Sequence, residues 1–241
     1  MSTLRSIVEL YHDIRSLLFP ECCMVCGEHI SSTMHGICPR CRLEIPITNY
    51  WLRDDNPAKE RFDGLLPIVH GSSFFFYRGN SLWRTLIHRF KYGGMWQMAY
   101  NLGEWYGAEL KASELYEDID VIIPLPLHPI KTLKRGYNQA RYLADGIAKS
   151  LGASVDSHAV RRTRNNPSQA RRKRRERWEG VDDLFRVTKP ERLRGKHILV
   201  VDDVMTSGAT LYGCMLAIHT AVPDARISFA TLAVTQYISH L

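Results

Sequence analysis

Between residues 4 and 19 the apolar positions Leu4, Ile7, Val8, Tyr11, Ile14 and Leu18 recur at helical spacing, which predicts an amphipathic helix ending at Phe19-Pro20. Leu65 to Tyr77 reads as a strand or hairpin. Ser81 to Phe90 reads as a helix with Leu82, Trp83, Leu86, Ile87 and Phe90 inward, stopped at Lys91-Tyr92-Gly93-Gly94. Residues 97 to 116 look helical again. Val121-Ile122-Ile123 is a short buried strand, Asn138 to Leu151 a helix, and Ile198-Leu199-Val200-Val201 a second β-branched run. Leu211 to Ile218 continues as a helix, and Arg226 to Val234 alternates like a strand. Strands alternating with helices predict an α/β fold built on a parallel sheet flanked by helices. The chain carries no internal repeat.

A length of 241 residues accommodates one medium α/β domain and a small accessory module. The polar stretch Arg53-Asp54-Asp55-Asn56-Pro57-Ala58-Lys59-Glu60 reads as a linker, so the expected division is 1–60 and 61–241. No run suits membrane insertion, since Phe74-Phe75-Phe76-Tyr77 is short and abuts Arg78. Arg5, Glu9, Asp13 and Arg15 interrupt any signal-peptide core. The expected location is the cytoplasm.

A reducing compartment turns paired Cys-x-x-Cys spacing into a metal signal. Cys23-Met24-Val25-Cys26 and Cys38-Pro39-Arg40-Cys41 are two such knuckles, with eleven residues between them. Four thiolates suit tetrahedral zinc, and a site with no open position is structural. Cys22 is an alternative to Cys23, and His29 and His35 are weaker candidates. Cys214 reads as core.

The β-branched run at 198–201 ends in Asp202-Asp203, followed by Val204, Met205 and the small, hydroxyl-rich loop Thr206-Ser207-Gly208-Ala209-Thr210. A loop of this kind before a helix points N–H groups at an anion, and the helix dipole favours one there. The carboxylates need a different object, either Mg²⁺ or a vicinal diol. A phosphorylated ribose offers both groups. A receiver domain also begins with such a strand, but it needs two more functional strands than the 38 residues after Asp203 allow. All thirteen positions from Ile198 to Thr210 resemble the signature of type I phosphoribosyltransferases. The resemblance implies that Asp202 and Asp203 grip the ribose of phosphoribosyl diphosphate and that Thr206 to Thr210 hold its 5′-phosphate, with Mg²⁺ accompanying the diphosphate.

A second loop follows the strand at 121–123. It runs Pro124-Leu125-Pro126-Leu127-His128-Pro129 and on to Lys131, Lys134, Arg135, Gly136, Tyr137, Asn138 and Gln139. In phosphoribosyltransferases this position holds the pyrophosphate, so the resemblance assigns Leu127, His128, Lys134, Arg135 and Gly136 to it. The stretch Arg161 to Trp178 carries eight Arg and one Lys against Glu176. Such a run repels itself and cannot pack alone, so residues 161–180 read as a mobile arm. Three uses fit it: closure over a polyphosphate, contact with a nucleic-acid backbone, or a plain solvated face. Tyr50 and Trp51, near the cysteines in sequence, are candidates for stacking on bases.

Taken together, the Cys₄ module, Lys91-Tyr92-Gly93, Pro124 to His128 with Arg135-Gly136-Tyr137-Asn138-Gln139, the Gln169-centred arm and the Asp-Asp loop resemble the ComF family of phosphoribosyltransferase-like proteins, linked to competence and DNA utilisation. The arm residues concerned are Gln169, Arg171, Arg172, Arg174, Arg175 and Arg177. Arg172 stands where Leu is common in the family, and Gly180 where Asn is usual. The resemblance implies binding of phosphoribosyl diphosphate or a related ribose phosphate, handling of imported single-stranded DNA, and a competence helicase-type partner. The alternative is an active phosphoribosyltransferase of nucleotide metabolism with an unidentified acceptor base.

Overall fold

The computed structural model describes residues 22–30, 36–77, 82–92, 94–164 and 184–235. The helix expected over residues 4 to 19 lies outside the described residues, as do Gln169, Arg171, Arg172, Arg174, Arg175 and Arg177. Two compact units divide the chain between Ile45 and Pro46. The first contains a single short helix among its described residues, α1 (Pro39–Glu44), begun by Pro39 at its first turn and capped by the Cys38 side chain.

The second unit is built on strand β1 (Ile68–Tyr77), helices α2 (Leu82–Tyr92) and α3 (Trp96–Ala112), and strand β2 (Val121–Pro124). Then come α4 (Pro129–Arg135), α5 (Gln139–Leu151), β3 (Ser154–Val155), and the antiparallel pair β4 (Val160–Arg162) and β5 (Phe185–Val187). The chain closes with β6 (His197–Met205), α6 (Ala209–Ala221) and β7 (Arg226–Thr235). Five strands form one sheet in the order β1-β7-β6-β2-β3, and each neighbouring pair is parallel.

Burial explains why the central strands are apolar throughout. Ile198, Leu199, Val200 and Val201 are all fully buried, as expected of a parallel sheet covered on both faces. Ile198 and Val200 join Cys214, Met215 and Ile218 of α6 in one core cluster; alternation sends Leu199 and Val201 to the opposite face. Helices α3 and α5 meet backbone to backbone through glycines. A Cβ on Gly146 would lie 2.2 Å from the Tyr100 carbonyl oxygen, and one on Gly103 would lie 2.3 Å from that of Leu143. Because neither clash can be relieved by a rotamer change, Gly146→Val is expected to cost about 3 kcal/mol or more. In a domain of this size that lowers the melting temperature by about 6–12 °C in a thermal scan.

The segment 53–60 is packed structure rather than a linker. Asn56 is 1% exposed, and its Nδ2 donates to the carbonyls of Tyr50, Arg53 and Gly71 at 3.2, 3.0 and 2.8 Å. Its Oδ1 accepts from the amides of Ala58 and Lys59. One saturated side chain thus fastens a polar loop to β1, which outweighs the loop-like composition. Trp51 is also core, 2% exposed against Phe74 and Tyr106, and Tyr50 packs edge-on to Phe76. Burial withdraws Trp51 from base stacking.

At the N-terminal rim of the sheet, His197 joins Asp118 through Nδ1 at 2.7 Å and Ser228 Oγ through Nε2 at 2.8 Å. Ser228 is fully buried and its oxygen also accepts the His70 amide, so the array holds strands together and has no access to substrate. Burial pushes the His197 pKa below its ordinary value of 6.5, against the opposing pull of Asp118; Arg226 and His70 lower it further. The folded protein therefore keeps His197 neutral where the unfolded chain takes up a proton. Stability from this group is present above about pH 6.5 and is lost as pH falls below it. Melting temperatures measured between about pH 7 and 5 are expected to decline, with a shallower decline in His197→Gln. An unchanged slope in the variant removes His197 as the cause.

Candidate functional site

The strand order locates a crevice. From β2 the chain moves through α4 and α5 outward to β3, whereas from β6 it moves through α6 the other way to β7. Adjacent strands β6 and β2 therefore send their C-terminal loops in opposite directions, and ligands of open α/β sheets bind at such a switch point.

The β6 loop bounds a small, open-mouthed hollow lined by Asp202, Val204 to Thr210 and Leu211. Gly208 turns the chain into α6 with φ +86°, a left-handed conformation that costs a side-chain-bearing residue about 1–2 kcal/mol. Among the described residues, the amides of Ser207, Gly208, Thr210 and Leu211 donate to no protein acceptor. Only Ala209 uses its amide locally, on Ser207 Oγ at 3.4 Å. Four unspent donors at the positive end of a helix form an anion cradle.

Arg61 sets the orientation of this cradle. Its guanidinium donates to the Thr206 carbonyl at 2.5 Å and to the Thr235 carbonyl at 2.8 Å. In a planar trans peptide the N–H of Ser207 points opposite to the Thr206 oxygen, so holding that oxygen directs the amide away from Arg61. Phe62 packs beneath, 3.0 Å from where a Cβ on Gly208 would sit.

Asp202 lines the hollow and accepts the Asp203 amide on Oδ1 at 2.8 Å. Strand alternation sends Asp203 to the other face, and it is not part of the hollow's lining. Arg162, in β4, feels the charge of Asp202: burial lowers the guanidinium pKa and Asp202 opposes that shift. Its head group lies over the Phe185 ring at 5.4 Å, and its Nε donates to the Arg164 carbonyl. Arg161 and Arg162 thus belong to a strand, and the Thr163 amide still pairs with the Leu184 carbonyl. This antiparallel pair thus sets Arg162 within reach of the first carboxylate's charge.

On the β2 side, the Leu125 amide bonds the Val201 carbonyl at 2.7 Å and Asn138 Nδ2 holds the Leu125 carbonyl, which anchors the second loop next to the first. His128 caps α4: its Nδ1 accepts the Ile130 amide at 3.3 Å, so that nitrogen faces the backbone. Leu127 precedes it, half-buried. Gly136 ends α4 in a left-handed cap, and Arg135 donates to Gln139 Oε1 at 3.1 Å. Lys134 lies in the last turn of α4.

In the first unit, the sulfurs of Cys23, Cys26, Cys38 and Cys41 all lie within 4.8 Å of one another. Cys26 and Cys38 Sγ are 3.7 Å apart, too far for a disulfide of about 2.05 Å. This separation is close to the edge of about 3.8 Å expected for a tetrahedron with Zn–S of about 2.3 Å. Burial would raise the Cys23 thiol, but the amides of Cys38, Cys26 and Val25 outweigh it and bring it down to about 7. Gly27, at φ +82°, turns the first knuckle. Cys22 stays outside the quartet, exposed and 4.0 Å from His29 Nδ1. These four thiols can hold a metal ion such as zinc.

Residues 133–236 match the phosphoribosyl transferase domain. The chain is 31% identical over 129 residues to DNA utilization protein YhgH of Shigella flexneri, covering 52% of this chain and 56% of that one. It is 26% identical over 211 residues to competence protein ComFC of Bacillus subtilis, covering 87% and 82%, and 27% identical over 131 residues to competence protein F of Haemophilus influenzae, covering 52% and 57%. The matches to YhgH and competence protein F span little more than half of those relatives. Sheet, cradle and domain match make this a phosphoribosyltransferase-fold protein. With its cysteine quartet, it is similar over much of its length to proteins named for competence and DNA utilization.

Proposed function

We propose that the chain binds phosphoribosyl diphosphate with Mg²⁺ at the β6 loop and acts in the handling of imported single-stranded DNA in the cytoplasm. The observation that carries the ligand reading is the set of four unspent amides at Ser207, Gly208, Thr210 and Leu211 beside the Asp202 carboxylate. They suit the 5′-phosphate and Asp202 suits the ribose hydroxyls; Asp203, outside the hollow's lining, is assigned to the ribose on the resemblance to the phosphoribosyltransferase signature. Mg²⁺ takes oxygen ligands, and these carboxylates fit it; when bound, it would neutralise the diphosphate. Leu127, His128, Lys134, Arg135 and Gly136, which follow β2 next to β6, are assigned to the diphosphate in this reading. The names of the relatives support the DNA role, as does a net charge of +7. Zinc in the cysteine quartet is structural in this reading, and a competence helicase-type protein is the partner. No helix among the described residues is long and apolar enough to cross a membrane.

Calorimetry with phosphoribosyl diphosphate and Mg²⁺ tests the pocket: saturable heat is expected, and none at millimolar ligand ends the proposal. Binding of oligo-dT across salt tests the DNA role. The logarithm of affinity is expected to fall with a slope of about 0.7 per phosphate contacted, whereas a flat response counts against it. The transferase alternative has its own support in Arg162, a cation that feels the charge of Asp202 at the pocket. Release of pyrophosphate on adding free bases would favour it.

A further inference from the structure

Trp96, Tyr142 and Tyr137 form a continuous aromatic strip at the surface. The rings of Trp96 and Tyr142 are 5.2 Å apart at 33°, and those of Tyr142 and Tyr137 are 5.6 Å apart at 75°. Trp96 opens α3, Tyr142 sits in the first turns of α5, and Tyr137 follows the Gly136 cap of the second crevice loop. The strip is not core: Trp96 is 45% exposed and both tyrosines are half-buried.

The sequence on either side of these rings is one-sided in charge. Residues 64–103 contain Arg78, Arg84, Arg89 and Lys91 and no carboxylate; residues 128–144 contain Lys131, Lys134, Arg135 and Arg141 and none either. The first carboxylates on the C-terminal side of these stretches, Glu104 and Asp145, are paired with Lys149 at 2.5 Å and Arg141 at 2.8 Å. Arg135 acts on the Tyr137 hydroxyl, lowering a pKa that burial raises, so a cation adjoins the rings. Flat apolar faces set among cations, with nearby acids neutralised, complement a ligand that is itself flat and anionic. Unpaired nucleotides have that chemistry, since every base has a face to stack and every linkage a negative charge.

We propose that this strip stacks unpaired bases of single-stranded DNA, with Trp96 as the anchor and the cations Lys131 and Arg135 on the phosphates. The assignment rests on the DNA-handling reading above. Because Tyr137 stands two residues beyond Arg135, a strand held here runs along the rim of the ribose-phosphate crevice.

Fluorescence anisotropy of the full chain with labelled oligo-dT and an abasic oligonucleotide of equal length separates stacking from charge. Wild type is expected to favour oligo-dT. Trp96→Ala is expected to weaken oligo-dT about ten-fold and leave the abasic strand unchanged, and Trp96→Phe to recover most of the loss. Equal weakening of both strands, or no change in either, overturns the assignment while leaving the DNA role standing. Protection of oligo-dT by wild type that a free nucleobase abolishes at micromolar concentration also overturns it, in favour of a small-molecule base site. If wild type binds neither oligonucleotide, the DNA-handling reading falls and this inference falls with it.

Discussion

Exchanging Asp202 and Asp203 together for Asn is expected to weaken binding of phosphoribosyl diphosphate in Mg²⁺ by at least about 100-fold. Each charge-assisted hydrogen bond contributes about 1.5–3 kcal/mol, and two such losses reach that factor before the metal's share is counted. The shapes survive the exchange. Asn at 202 keeps an oxygen to accept the 203 amide, which Asp202 Oδ1 accepts at 2.8 Å, so the loop's geometry is retained. Inorganic phosphate, which needs only the amides of Ser207, Gly208, Thr210 and Leu211, should bind the double variant as it binds wild type. The two single variants are also expected to differ. Asp202→Asn removes the charge opposing the half-buried Arg162 and should lower thermal stability more than Asp203→Asn. Calorimetry and a thermal scan on the same three variants read both effects, and undiminished heat with the double variant defeats the ribose assignment.

The part of the site legible in the sequence is the part built from neighbours in sequence. Ile198 to Thr210 states its own conformation: apolar residues for a two-sided strand, carboxylates where the strand meets solvent, and Gly208 where φ must be positive. What was not legible depends on partners far along the chain. Arg61, which fixes the Thr206 carbonyl from 145 residues away, lies just after a stretch whose composition reads as linker. Asn56 makes that stretch rigid only because the carbonyls of Tyr50, Arg53 and Gly71 converge on it. Helix α4 was announced locally by His128-Pro129 at one end and Gly136 at the other, but its seven residues are too few for a periodic signal. The base of the basic segment was obscured differently. Arg161 and Arg162 read as part of a charge run, yet three-residue pairing with Phe185–Val187 makes them strand. Trp51 shows the same limit: an aromatic near a metal motif in sequence belongs to a different compact unit, under Phe74 and Tyr106.

The cysteine quartet should bind one zinc ion per chain, and the unit before Pro46 should lose its fold when that ion is removed. Its described core is small: Cys23, Val25, Ile37, Cys38, Cys41 and Ile45 are its buried apolar residues, and three of these six are members of the quartet. Burying three aliphatic side chains yields about 4.5–9 kcal/mol at most, less than the entropy of ordering the unit's nineteen described residues at about 1–2 kcal/mol each. A structural zinc ion contributes about 10–16 kcal/mol, enough to change the balance. Cys23→Ser and Cys41→Ser are each expected to reduce the bound metal several-fold or more, whereas Cys22→Ser leaves it at one equivalent because Cys22 stands apart from the quartet. Plasma emission spectrometry gives the stoichiometry, and limited proteolysis before and after chelation shows where order is lost. Cleavage that appears only after chelation is expected within residues 22–45, with the unit from Pro46 onward still binding phosphoribosyl diphosphate. A zinc-free chain that resists protease in that region, or a Cys22→Ser variant that loses its metal, would contradict the assignment.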